Sequence, residues 1–178
     1  GIHGNESQSA RTSRRAFGYP MSDELQPLDA VDGTGLRIAI ARSRYNDHIT
    51  SGLRDGAADL LERSGVEFVA VDTPGAFELP LVALQLLKTG FDAVVALGAV
   101  IDGDTDHYEH VAHRASEGLL RVMLDSGKPV AFGILTVRED AHALARSRPG
   151  VGNKGAEAAA AAVETALLLQ ELDDAPLY

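Results

Sequence analysis

An α/β domain with a parallel sheet covered by helices on both faces is the fold class this sequence predicts, and three features predict it. Short apolar runs alternate with amphipathic segments four times in succession, in the order βαβαβαβα. The third run, Phe91 to Val100, is hydrophobic almost throughout, as a strand buried on both faces should be. That run leads through Ile101 into a turn of glycine, Thr105, three Asp residues and His107, and an amphipathic segment follows at once. In open sheets of this kind, ligands sit outside the carboxyl ends of the strands.

The elements follow in order. Leu36 to Ala41 reads as the first strand, and His48 to Arg63 as a helix with Leu53, Ala57, Leu60 and Leu61 on one stripe. Gly65 stops that helix, as glycine does at a C-cap. Val66 to Val71 is the second strand; Phe77 to Leu87 is a helix with Pro80 in its first turn, where proline is tolerated. After the third strand, Tyr108 to Asp125 forms the third helix. Pro129 to Thr136 is the fourth strand, Glu139 to Arg146 a short helix, and Asn153 to Leu172 a long final helix. The last helix is rich in alanine (Ala156, Ala158 to Ala162, Ala166), which lets helices pack closely and, with so small a sheet, predicts an oligomer whose interface completes the core. Residues 1–34 are polar and weakly periodic and read as a flexible arm or one that pairs with a neighbour; 35–172 is the domain and 173–178 a tail.

Composition narrows the function. The 178 residues suit one domain, with 45% hydrophobic and 24% charged residues. There is no cysteine, so no disulfide, thiolate chemistry or cysteine-based metal site. A net charge of −10 argues against nucleic acid, whose phosphates select basic patches, and against an acidic membrane surface. No apolar stretch reaches the roughly 18 residues needed to span a bilayer. Ser13-Arg14-Arg15-Ala16-Phe17 resembles a twin-arginine signal, but Gly18 to Glu24 supplies no apolar segment, so export is not expected and the cytoplasm is. Without secretion the acceptor-like Asn5-Glu6-Ser7 carries no meaning. Met21 is a candidate native start, with residues 1–20 then extraneous.

Five clusters carry candidate chemistry: Ser43 to Asp47, Thr73 to Glu78, Val100 to His107, Phe132-Gly133, and Arg146 to Gly155. The first three follow strands and so converge on one edge of the sheet. Singly, each has an ordinary reading: Tyr45 a surface aromatic, Pro74-Gly75 a turn, His107 a solvated histidine, Arg146 and Lys154 surface charges, Gly103-Asp104-Thr105 an N-cap. His107, His110 and His113 recur along one helix, without a carboxylate spacing that would make a metal site. The loop before the third helix exposes N–H groups, a seat for an anion, and its histidine moves protons near neutral pH.

Together the clusters are specific. Ser43-Arg44-Tyr45-Asn46-Asp47-His48-Ile49-Thr50, Pro74-Gly75-Ala76-Phe77-Glu78-Leu79-Pro80, Gly98-Ala99-Val100-Ile101 with Gly103-Asp104-Thr105 and His107-Tyr108, and Gly152-Asn153-Lys154-Gly155 resemble the motifs of the lumazine synthase family. They stand in that family's order and spacing, over roughly residues 35–172. The resemblance implies a flavodoxin-like three-layer α/β/α fold with a four-stranded parallel sheet. It implies condensation of 5-amino-6-ribitylaminouracil with 3,4-dihydroxy-2-butanone 4-phosphate to 6,7-dimethyl-8-ribityllumazine, phosphate and water, without metal or other cofactor. It also implies a homo-oligomer, a pentamer or a 60-subunit icosahedral shell, with active sites between subunits and scope for association with riboflavin synthase.

Carried over to this sequence, the resemblance implies that Tyr45 stacks on the pyrimidine and Phe132 contacts it from the neighbouring subunit. Ala76, Phe77 and Glu78, with Asn46, hold the ribityl side of the substrate, and Val100 and Ile101 hold the pyrimidine edge. Asp104, Thr105, Arg146 of the neighbour and Lys154 bind the phosphate, and His107 shuttles protons. Two positions depart from the pattern: Asp102 stands where relatives often carry a basic residue, and Asp106 stands beside His107. With Asp104 they place three carboxylates around a dianion's loop, a repulsion of about 1 kcal/mol per pair of unit charges 4 Å apart in bulk water, so the side chains are expected to point outward. The alternatives are a non-catalytic flavin- or lumazine-binding cage of the same fold and an unrelated flavodoxin-like binding module.

Overall fold

The computed structural model describes residues 29–103 and 107–175. Asp104, Thr105 and Asp106, most of the expected arm and the last three residues lie outside the described residues. The elements are β1 (Arg37–Ser43), α1 (Asp47–Arg63), β2 (Glu67–Thr73), a 3-10 turn (Ala76–Glu78), α2 (Leu79–Lys88), β3 (Ala93–Ile101), α3 (His107–Ser126), β4 (Val130–Val137), α4 (Asp140–Ser147) and α5 (Lys154–Asp174). The four strands form one parallel sheet in the order β2-β1-β3-β4.

Alternation of side chains along β3 builds two cores. Ala93, Val95, Leu97 and Ala99 face α1, α4 and α5, packing with Leu53, Leu60, Ala143, Ala159 and Val163. Val94, Ala96 and Val100 face α2 and α3, packing with Leu79, Ala83, Ala115 and Leu119. That is the three-layer α/β/α arrangement expected. The alanines of α5 serve this packing: Ala158, Ala159, Ala162 and Ala166 are buried within the chain among α1 and sheet residues. The small-residue stripe is therefore used inside the chain, and the large apolar residues left exposed on α5 are Leu168, Leu169 and Leu172.

The end of α1 shows how local chemistry fixes a boundary. Gly65 adopts φ 71°, its N–H donates to the Glu62 carbonyl, and the Val66 N–H donates to Leu61. This double closure satisfies carbonyls that the helix leaves unpaired, and only glycine adopts the left-handed turn without cost. The strands β1 and β2 run two residues past the apolar runs that predict them. Their ladder continues because Arg42 pairs with Asp72 across it, and the register holds to Ser43 opposite Thr73. The helix predicted over Phe77 to Leu87 begins with the 3-10 turn, and α2 proper starts at Leu79, with Pro80 in its first turn. Residues 29–34 lie close to the domain at two points. Gly33 is buried with its N–H on the Ser64 carbonyl at 2.8 Å, and Ala30 packs on the core. Among the described residues no helix is long and apolar enough to cross a membrane.

Candidate active site

β1 has β2 on one side and β3 on the other, so the chain reverses its direction of sheet-building there. Outside the carboxyl ends of such strands the loops part and leave a crevice. Here it is a cleft of about 470 Å³. The loop after β1 contributes Tyr45 and Asn46, the turn after β2 contributes Ala76, Phe77 and Glu78, the end of β3 contributes Val100 and Ile101, and α3 contributes His107. Eight residues predicted from separate motifs thus line one cavity.

Its frame is held by polar contacts between distant segments. Asn46 adopts φ 60°, in the left-handed region that asparagine tolerates better than most residues. Its carbonyl accepts the first N–H groups of α1, from Ile49 and Thr50, and its amide donates to the Ala99 carbonyl at 2.8 Å. One residue thereby starts α1 and ties β1's loop to β3. Arg44 N–H donates to Thr73 and Tyr45 N–H to Pro74, which fastens the same loop to the β2 turn. Beneath lies Arg42, 5% exposed, whose guanidinium donates to Asp72 at 2.8 and 2.9 Å and also to Asp47. These carboxylates hold Arg42 charged against the cost of its burial, and Arg42 in turn holds the Asp72 carboxyl below its usual range.

The rim is open and chemically unengaged. Tyr45 is 72% exposed and Phe77 61%, two large rings standing beside a cavity. Glu78 and His107 are exposed and make no hydrogen bond or ion pair among the described residues. Val100 is buried in the core below. Tyr108, also lining the cleft, has its phenol pushed up, first by desolvation and then by the charges of Asp102 and Glu109. Among the described residues the cavity therefore combines flat apolar faces, the Glu78 carboxylate as hydrogen-bond acceptor and the His107 imidazole as proton carrier.

Three predicted residues are elsewhere. Phe132 stands on the edge strand β4, 52% exposed and opposite Ala96, three to five residues before the cleft segment at Ala99 to Ile101. That is roughly 10–16 Å along the strand at the usual rise. Arg146 lies near the end of α4 with Nη1 on the His142 carbonyl, and Lys154 opens α5 with Nζ 2.7 Å from Glu157. Both belong to the helix layer of α1, α4 and α5. Among the described residues, no group of three or more His, Asp or Glu side chains stands close enough to hold a metal ion.

The sequence reading counted Ser43, Gly75, Ala99 and Tyr108 among the motifs without giving them a role, and it passed over Val111; all five line the cleft. Val111 carries a usable signal, since it follows His107 by one helical turn. Arg42 carries none, because an arginine beside an apolar run gives no sign of burial.

Comparison with known proteins shows the family. Residues 35–170 match the family model described as 6,7-dimethyl-8-ribityllumazine synthase. A protein of that name from Clavibacter michiganensis subsp. michiganensis is 46% identical over 145 residues, covering 80% of this chain and 91% of the relative. One from Kineococcus radiotolerans is 45% identical over 159 residues, covering 88% and 99%. One from Nitratidesulfovibrio vulgaris is 45% identical over 146 residues, covering 80% and 94%. With a family model spanning most of its length and relatives this similar over nearly their whole length, the chain belongs to the 6,7-dimethyl-8-ribityllumazine synthase family.

Proposed function

We propose that the chain condenses 5-amino-6-ribitylaminouracil with 3,4-dihydroxy-2-butanone 4-phosphate, giving 6,7-dimethyl-8-ribityllumazine, phosphate and water. The observation that carries this reading is the convergence of Tyr45, Asn46, Ala76, Phe77, Glu78, Val100, Ile101 and His107 on one cleft. Tyr45 stacks on the pyrimidine, Glu78 accepts hydrogen bonds from ribityl hydroxyls, and the backbone at Val100 and Ile101 meets the ring edge. The amine attacks the ketone, and His107 takes the proton released and returns it to the departing hydroxyl, leaving an imine. A proton then leaves the carbon beside the imine as phosphate departs from the next carbon, its charge held by Asp104 and Thr105 with Arg146 and Lys154. The resulting enol becomes a ketone, which the ribitylamino nitrogen attacks to close the ring with loss of a second water. Holding two substrates in register supplies much of the acceleration.

Phe132, Arg146 and Lys154 complete the cleft of an adjacent subunit. None of the three lines its own chain's cleft, which supports this. The assembly is a ring of five, alone or within a 60-subunit shell, able to associate with riboflavin synthase. Exposed Leu81, Leu120, Leu124 and Phe132 on the α2, α3 and β4 side supply apolar surface for its contacts. It works in the cytoplasm without cofactor. The test is to mix both substrates with the assembled protein and follow lumazine absorbance, for the unaltered chain and Arg146→Ala. Product from the first and a loss of about 10²-fold in kcat/KM in the second are expected. An assembled protein that forms no product overturns the reading.

A further inference from the structure

Arg146 and Lys154 flank a buried polar junction. Between them Asn153, 2% exposed, reaches three elements with one side chain. Its amide donates to the Gly52 carbonyl of α1 at 3.1 Å, and to Ser147 and Arg148 at the end of α4 at 3.2 and 3.0 Å. Its Oδ1 accepts from the Ala156 N–H at 3.0 Å and caps α5. Glycines clear the space: a Cβ on Gly56 would lie 2.1 Å from Asn153 Oδ1, and one on Gly52 2.3 Å from the Ser147 carbonyl. A polar group this buried and this fully satisfied makes a rigid node.

The two cations beside the node are held differently from it. Arg146 precedes Ser147, Lys154 follows Asn153, and among the described residues each head group is engaged only on its own helix, by His142 and Glu157. Their backbones are thus fixed while their charged ends can swing.

We propose that Asn153 is a positioning residue for anion binding. By joining α1, the end of α4 and the start of α5, it fixes the backbones of Arg146 and Lys154 relative to each other, so that both cations close on one phosphate monoester. The proposal rests on the assignment of those two residues to the phosphate. Asn153→Asp separates the roles of the side chain: a carboxylate still accepts from Ala156 and suits a helix N-terminus, but it repels the three carbonyls that the amide joins.

The test is steady-state kinetics on the assembled protein, varying each substrate. Asn153→Asp raises KM for the phosphorylated ketone about tenfold with kcat little changed, and KM for the pyrimidine amine moves less than about twofold. Inhibition by inorganic phosphate weakens in parallel. Gly52→Ala, whose Cβ would lie 2.3 Å from the Ser147 carbonyl and so displaces an acceptor of the Asn153 amide while leaving the asparagine itself unaltered, gives the same split. In an Arg146→Ala/Lys154→Ala background, Asn153→Asp adds nothing. Equal rises in both KM values, or unchanged phosphate inhibition, overturn the positioning role. If Arg146→Ala and Lys154→Ala alone leave the ketone KM unchanged, the phosphate assignment fails and the proposal with it. If they raise it and Asn153→Asp does not, only the proposal fails.

Discussion

The cleft at the ends of β1 to β3 and the junction of α4 with α5 are built on opposite plans. The cleft is open, edged by exposed rings and by Glu78 and His107, which have no hydrogen-bond or ion-pair partner among the described residues. The junction is closed, with a buried asparagine fully bonded and backbones so near that a Cβ on Gly155 would lie 1.8 Å from the Leu53 carbonyl. Exposed polar groups keep their water and stay available to a ligand, whereas buried and satisfied ones rigidify. The cleft is therefore a place to receive a molecule and the junction a mount from which two cations are displayed. On the reading proposed above, the mount of one copy serves the cleft of the next.

The sharpest way to break this pairing is complementation. His107→Ala and Arg146→Ala should each lower kcat/KM by about 10²-fold or more. Co-assembled in equal amounts, they should regain about a quarter of the sites, because half the clefts are intact and half the neighbours carry the arginine. No recovery would place both residues in one chain's site.

The same substitution in the two regions gives the next largest contrast. Gly155→Ala should lower the unfolding free energy by about 3 kcal/mol, since α1 and α5 must move apart. Gly103→Ala in the cleft loop meets nothing within 4 Å and should change stability by less than about 0.5 kcal/mol. Urea titrations of both variants decide it; equal losses would erase the distinction between a closed junction and an open cleft. Smaller still, Tyr45→Ala should raise KM for the pyrimidine amine by about tenfold and leave that for the ketone unchanged, as expected from loss of one stacking face. A change in the ketone KM alone would remove Tyr45 from the pyrimidine.

The smallest effect concerns the support under the cleft. Arg42 lowers the folded-state pKa of Asp72, so their pairing stabilises the fold above the ordinary aspartate range near 4 and is lost as pH falls through the lowered value. Asp72→Asn should lower Tm slightly at pH 7, and the gap from the unaltered chain should close as pH falls below about 4. Asp72 is 42% exposed at its side chain, which keeps the effect small. A gap that persists at low pH would point to packing instead of charge.

Much of this was legible in the sequence for stated reasons. Apolar runs and helical stripes located every strand and helix to within two residues or so, because burial alternates with the local period of the backbone. Motifs at strand ends identified the cleft residues, because parallel strands deliver their loops to one edge. What escaped depended on partners far along the chain. Asn46 finds Ala99 53 positions away, Arg42 finds Asp72 30 away, and Asn153 finds Gly52 101 away. The alanines of α5 looked suited to a neighbouring subunit, yet α1 takes them, since composition records small size and not which surface uses it.

By itself, then, the sequence determined the parallel α/β class, the element order and the set of side chains offered for chemistry, because these follow from local periodicity and turn chemistry. Only the tertiary structure decided which of them share a cavity and which stand apart on the α4–α5 junction. It also decided that an arginine and an asparagine would be buried to hold the two regions in place. Those outcomes depend on which carbonyls and carboxylates the folded backbone brings within hydrogen-bonding distance, and no local pattern encodes that.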